Sequence, residues 1–219
     1  MKLINIESLY LNKWSILRKF NMKIILSLLI IIFSLQSLTK ADDISDFKIE
    51  GMSIGDSLLD FFSEEKINNF VNYDNLPSDM KFRIAELYSK RDMEMNRYDG
   101  IQIYYKPEDK KFILHGVSGH FLCANKNKTE CKNVYADIVN SISSDFKNIK
   151  GEEQTFKHID DKSGKSIVTN YSINLYNGSI ITVTYTDWSN EVEWVDNVSV
   201  DVSTIEVNNW IAKGYGTKE

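Results

Sequence analysis

Cysteine, proline, arginine and histidine are all scarce in this chain of 219 residues: two Cys, two Pro, four Arg and three His. Two thiols cannot build the dense disulfide framework of a very small secreted scaffold. Two prolines and ten glycines exclude a collagen-like or linker-type chain. Four guanidinium groups (Arg18, Arg83, Arg91, Arg97) leave little material for bidentate clamps on phosphate or carboxylate. What the chain does have is 42% hydrophobic, 12% aromatic and 26% charged residues, a balance that supports one globular domain with a real core. Its excess of Lys, Asn and Ile is what AT-rich codons supply and carries no functional message.

Charge is unevenly placed. Residues 1–41 hold six basic residues and one acid, whereas Asp42–Glu219 holds 20 basic and 30 acidic ones, a net −10. A body of that sign is repelled by nucleic acid and by anionic lipid, so neither is an expected partner. Ile101–Lys150 runs the other way, with eight Lys against five acids. Lacking Arg and aromatics interleaved with its lysines, it suits an acidic partner better than a nucleic acid.

Ile24–Leu38 is an uncharged apolar run of 15 residues, preceded by Met22-Lys23 and followed by Thr39-Lys40-Ala41. At ~1.5 Å per residue it reaches about 22 Å, short of a ~30 Å hydrocarbon core. A basic start, a run of this length and small residues before Asp42-Asp43 predict a secretory signal, residues 1–41, cleaved after Ala41. Met22 is then the expected natural start. The alternative is an uncleaved inner-membrane anchor through Ile24–Leu38, helped by Trp14 and Arg18-Lys19. Export to the periplasm is the expectation, with contact to a membrane only through this segment before cleavage. Residues 42–219 are expected to form a single domain.

Cys123 and Cys131 enclose a polar loop of seven residues. In an oxidising compartment the default for an isolated pair is a disulfide, here expected to stiffen a surface loop. A metal site with His115 and His120 is the sharper alternative. It lacks Cys-x-x-Cys or His-x-x-x-His spacing, and zinc needs four convergent ligands. No cofactor is expected.

Hydrophobic periodicity predicts the elements. Ser57–Phe70 reads as a helix, with Leu58, Leu59, Phe61, Phe62, Ile67, Phe70 and Val71 as its apolar face and Ser57 with Asp60 as a capping box. Pro77–Arg97 is ambiguous and leans toward a strand. Ile101, Ile103 and Tyr105, the turn Pro107–Lys110 and then Phe112–Val117 form a hairpin. Cys131–Phe146 is an amphipathic helix starting near Thr129 or Glu130. Ile167–Leu175, Asn177-Gly178 and Ile181–Thr186 make a second hairpin, with a type I′ turn expected at Asn177-Gly178. Val198–Ser203 continues the meander, Thr155–Ile159 can precede it, and Ile205–Ala212 is a closing helix. Strands and helices segregate, so the class is α+β: an antiparallel meander with two or three helices on one face, behind a cleaved apolar helix.

Several strings invite chemistry. Gly55-Asp56-Ser57-Leu58 resembles the nucleophile block of the GDSL serine hydrolases, whose base is an Asp-x-x-His near the C-terminus. None of His115, His120 and His158 has an Asp three residues before it, and a serine without a base is a weak nucleophile. Capping by Ser57 accounts for the same letters. Gly116-Val117-Ser118-Gly119-His120 lacks the second spacer of a Gly-x-Ser-x-Gly elbow, and its glycines are expected to permit a bulge or bend. His158 followed by Asp160-Asp161-Lys162-Ser163-Gly164 reads as a hairpin turn. Thr182, Thr184 and Thr186, with Asn170, Ser172 and Asn174, read as a wet scaffold face. Asp187-Trp188-Ser189-Asn190-Glu191, with Trp194 beyond, sets an apolar plate among polar tips. Asp187, Trp188, Asn190, Glu191 and Trp194 are therefore the candidate ligand-binding residues. No catalytic set and no metal set is assigned.

Ile49-Glu50-Gly51-Met52-Ser53-Ile54-Gly55-Asp56-Ser57-Leu58 resembles the start of outer-membrane assembly lipoproteins of the SmpA/OmlA type, where a strand ending Gly-Met-Ser leads into a capped helix. This chain differs in having no lipidation Cys after the leader and no Gly-x-Pro after the first helix. Over most of Asp42–Trp210 it is similar to a family of small secreted proteins from AT-rich bacteria, a resemblance that implies no activity. The resulting expectation is an exported, non-enzymatic binding or envelope-associated protein with an envelope ligand or protein as partner. The alternatives are a serine hydrolase through Ser57 or Ser118, or a metal-binding periplasmic protein.

Overall fold

Period-two alternation in the C-terminal third, and again around residues 83–122, produces one seven-stranded sheet in the computed structural model. The structure describes Ile44 and residues 47–70, 80–124 and 127–213. The leader, Met22, the cleavage site and Val71 lie outside the described residues. The strands are β1 (Arg83–Tyr88), β2 (Gly100–Tyr105), β3 (Leu114–Leu122), β4 (Glu152–Lys157), β5 (Ile167–Asn174), β6 (Ile180–Asp187) and β7 (Asn197–Ser203). They lie in the order β1-β2-β3-β7-β6-β5-β4, each antiparallel to its neighbours. Two meanders thus meet where β7 returns to pair with β3. Among the described residues three α-helices complete the α+β fold: α1 (Glu64–Asn68), α2 (Lys128–Asp145) and α3 (Ile205–Ala212). The strand expected within Pro77–Arg97 and the closing helix both form.

One sheet face is dry. Ala85, Leu87, Ile101, Ile103, Val117, Ile173, Ile181, Val183, Val198, Val200 and Val202 share a core with Tyr135 and Ile142 of α2 and with Ile49, Met52 and Leu58 before the first strand. Each buried Val, Leu, Ile or Met side chain there contributes roughly 1.5–3 kcal/mol by leaving water. Cys123 and Cys131 belong to this core and are disulfide-bonded, with Cα atoms 5.9 Å apart. The bridge therefore ties the end of β3 to the first turn of α2 from inside, instead of stiffening a loop at the surface.

The helices do not all pack on one face. Val207 and Trp210 of α3 form a separate cluster with Met80, Phe82 and Ile84, against which Tyr104 packs. Ile84 and Tyr104 alternate with Ala85 and Ile103, so α3 covers one end of the opposite face. The reason is chain exit: Ser203 ends β7 on that side, and its Oγ donates to Asn208 Oδ1 at 2.6 Å.

Two local expectations are also corrected, and a third is met one residue away. Ser57–Phe70 is no continuous helix: a 3₁₀ turn at Leu58–Asp60 is followed by α1, with Ser63 as the cap, accepting from Lys66 N at 3.2 Å. Leu59 and Phe61, two members of the expected apolar face, are exposed because the turn breaks the helical period. At Asn177-Gly178 only Gly178 takes a positive φ, of 80°. Gly178 N donates to Leu175 O at 2.9 Å and Leu175 N to Ser179 O at 2.8 Å, a three-residue loop with glycine at the left-handed position in place of a type I′ turn. The register between β2 and β3 slips at His115, since Tyr104 faces Gly116 while Tyr105 faces Leu114. A bulge is thus present, one residue before the glycines expected to permit it.

Candidate ligand site on the wet sheet face

The second sheet face is polar in rows that run straight across the strands. Register aligns Glu86, Gln102, Ser118, Asp201, Thr182 and Ser172 in one row, and Gly100, His120, Ser199, Thr184 and Asn170 in the next. A flat wet face would leave such residues open, yet Ser118, Ser199 and Thr186 are only 2%, 7% and 5% exposed. The rows therefore form the floor of a depression.

Two neighbouring cavities occupy it and share His158 and Thr186. One, of about 400 Å³, is lined by Glu86, Tyr88, Asp99, Gln102, His120, Leu122, Trp188 and Asn197 among others. The other, of about 710 Å³, is lined by Phe156, Lys157, Ile159, Asp161, Val168, Asn170 and Thr184. Buried at the floor, His120 Nε2 and Asn170 Oδ1 have no hydrogen-bond partner among the described residues. Buried polar atoms without partners cost free energy, which a ligand able to reach them recovers.

An aromatic corner stands at the open end of the sheet. The ring of His158 lies 4.1 Å from Trp188, and Trp188 lies 4.4 Å from Trp194 in an edge-on arrangement. Backbone bonds fix the corner: Trp188 N donates to Asp196 Oδ1 at 2.7 Å, and His158 N to Ser166 O at 3.0 Å. Behind it Asp161 accepts from Ser166 N and Oγ at 2.8 and 2.6 Å and from Ser163 N at 2.8 Å, closing the hairpin turn expected there. The hydroxyls of Ser166 and Ser163 hold the Asp161 carboxyl well below the usual carboxylate range, against the opposing effect of burial.

The five sequence-derived binding residues fare differently. Trp188 lines the smaller cavity, and Trp194, half exposed, braces it. Asp187 is paired with Lys128 and Glu191 with Lys165, and Asn190 faces solvent. Sequence reasoning missed His158, His120, Gln102, Glu86 and Asp99 as cavity residues. Strand parity places Gln102 on one face of β2, but the pairing that sets it beside Glu86 and Ser118 is not readable from local pattern.

The hydrolase and metal strings take structural roles. Ser57 Oγ donates to Lys111 O at 2.6 Å and accepts from Leu59 N at 3.2 Å, so it is a cap. Ser118 and His120 share the floor, but His120 Nε2 bonds to no hydroxyl. His115 lies 3.6 Å from Glu206 and 5.2 Å from the Phe82 ring, beside α3. The disulfide occupies both thiols. Among the described residues no group of three His, Cys, Asp or Glu side chains is placed to hold a metal ion. No family model, curated protein or solved structure matches the chain.

Proposed function

We propose that the protein is an exported binding module of the bacterial envelope, working in the periplasm, which holds a small ligand in the depression on its wet sheet face without transforming it. The observation that carries this reading is the His158–Trp188–Trp194 corner opening onto a cavity of about 400 Å³ whose floor holds the unpartnered His120 Nε2. A concave site with an aromatic wall and a few convergent polar groups is how proteins grip small molecules. The leader and the disulfide support an oxidising address. If Ile24–Leu38 were retained, the same module would be tethered to the inner membrane.

The test is a thermal-shift panel of sugars, amines, short peptides and lipids on the protein recovered from expressing cells. A ligand selective for the native state raises the melting temperature. Trp188→Ala should abolish the shift while leaving the unliganded melt within a few degrees. A shift that survives this substitution would place the ligand elsewhere.

A further inference from the structure

The smaller cavity is charged on one side only. Glu86 and Asp99 line it, and among the described residues neither Lys nor Arg does. Asp201 stands in the same cross-strand row as Glu86. Glu86 spends its two oxygens on neutral donors, Gln102 Nε2 at 2.7 Å and Tyr88 OH at 2.8 Å. Asp99 Oδ2 accepts from Leu122 N at 2.8 Å, and Asp201 Oδ2 from Ser199 Oγ at 2.8 Å. Among the described residues none of these three carboxylates has a Lys, Arg or His partner, whereas Asp92, Asp187, Glu191 and Glu206 each have one. Lys157 lines the larger neighbouring cavity, so among the described residues it is the lining of the smaller one that carries acids without a Lys or Arg.

The rim adds a second, independent feature. The Arg91 guanidinium sits 4.4 Å from the centre of the Tyr88 ring, so a side chain of the cavity wall already holds a cation over its face. Trp188 presents a further ring to the same cavity, and indole is the best π partner for a positive charge. Carboxylates beside aromatic faces in a concave setting focus negative potential onto whatever enters.

Resting on the binding reading above, we infer that the cavity takes a small organic cation, a primary or quaternary amine, seated between Trp188 and Glu86 with Asp99 at its side. A neutral polyol would stack on the indole but leave the carboxylates uncompensated. An anion would be repelled by Glu86 and Asp99, and the Arg91 guanidinium at the rim is already paired with Asp92.

Isothermal titration of the recovered protein with spermidine, choline, maltose and inorganic phosphate tests this. Spermidine or choline should bind saturably, more weakly as salt is raised, and maltose and phosphate should not bind. Glu86→Gln with Asp99→Asn, nearly isosteric changes, should weaken the amine at least tenfold. If the pair melts early, each single substitution should give a smaller weakening at wild-type stability. Maltose binding that is lost in Trp188→Ala but unchanged in Glu86→Gln/Asp99→Asn would overturn the cationic inference and leave the binding site standing. Amine binding unchanged in both variants would overturn both. Absence of spermidine and choline binding would overturn the inference.

Discussion

The ring of Tyr98 occupies the place where a side chain on Gly119 would begin: a Cβ there would lie 2.5 Å from the ring edge. Gly119 is buried in the middle of β3, and Tyr98 is part of the dry core, so neither can move aside freely. Glycine weakens a strand by conformational entropy, and here the loss is offset by the packing of an aromatic ring against bare backbone. Gly119→Ala should therefore destabilise the protein by about 1–3 kcal/mol through overpacking, read as a lower urea midpoint at unchanged m-value. A neutral result would mean that the ring has room to shift.

The disulfide gives a second expectation. Because Cys123 and Cys131 sit within the core, reduction both frees a short loop and sets two thiols in an apolar environment. The Cys123→Ala/Cys131→Ala protein should lose about 2–3 kcal/mol yet stay folded, since the loop is small. Paired urea melts of the oxidised and reduced protein read the same difference.

Acid should act through Asp161. Its folded-state carboxyl titrates below the unfolded value, so its stabilisation is present at neutral pH. That contribution is lost as pH falls through and below the ordinary carboxylate range. Asp161→Asn should lower stability at pH 7 and flatten the acid side of a melting-temperature profile. An unchanged profile would mean that the turn does not depend on the ionised carboxylate.

Alkali should act through Tyr185. Burial, with Asp187 and Asp196 nearby, pushes its phenol up to about 12, and the buried hydroxyl has no hydrogen-bond partner among the described residues. Stability contributed by the neutral phenol is complete below pH 10 and declines between about 10 and 12. Tyrosinate absorbance should therefore show a late class of phenols, reduced in Tyr185→Phe. Tyr135, raised by burial and by its bond to Glu153 at 2.9 Å, belongs to the same late class.

Ser57→Ala should cost about 1 kcal/mol, the worth of a lost cap, because the hydroxyl links the 3₁₀ turn to Lys111 O. A guanidinium chloride melt suffices to measure it. Labelling of Ser57 by a fluorophosphonate would instead show a reactive nucleophile.

Legibility in the sequence followed the range of the interactions. Ile167–Asn174, Ile180–Asp187 and Asn197–Ser203 were readable because alternation is local and each strand meets its successor through a short connection. Ser57–Phe70 was not, since Leu58 and Phe62 are pulled into the core from a turn and a bend rather than from one helical stripe. Trp188 and Trp194 were visible as an odd pairing in a polar loop. His158 looked like a turn residue, and only the fold brings it to 4.1 Å from Trp188. Glu86, Gln102 and Asp201 come together through β3–β7 pairing, a contact across more than eighty residues of chain that no window on the sequence contains.

The placement of α3 on the wet face has a dimensional consequence. It shuts the row that holds Tyr104, Gly116 and Ser203, so open floor runs only from Asp201 to Asn197 along β7. Four residue-to-residue steps at ~3.4 Å each give a bed of about 14 Å. For the proposed ligand the helix would be a backstop: a guest passing Trp188 could extend only a few bonds beyond His120 before reaching it.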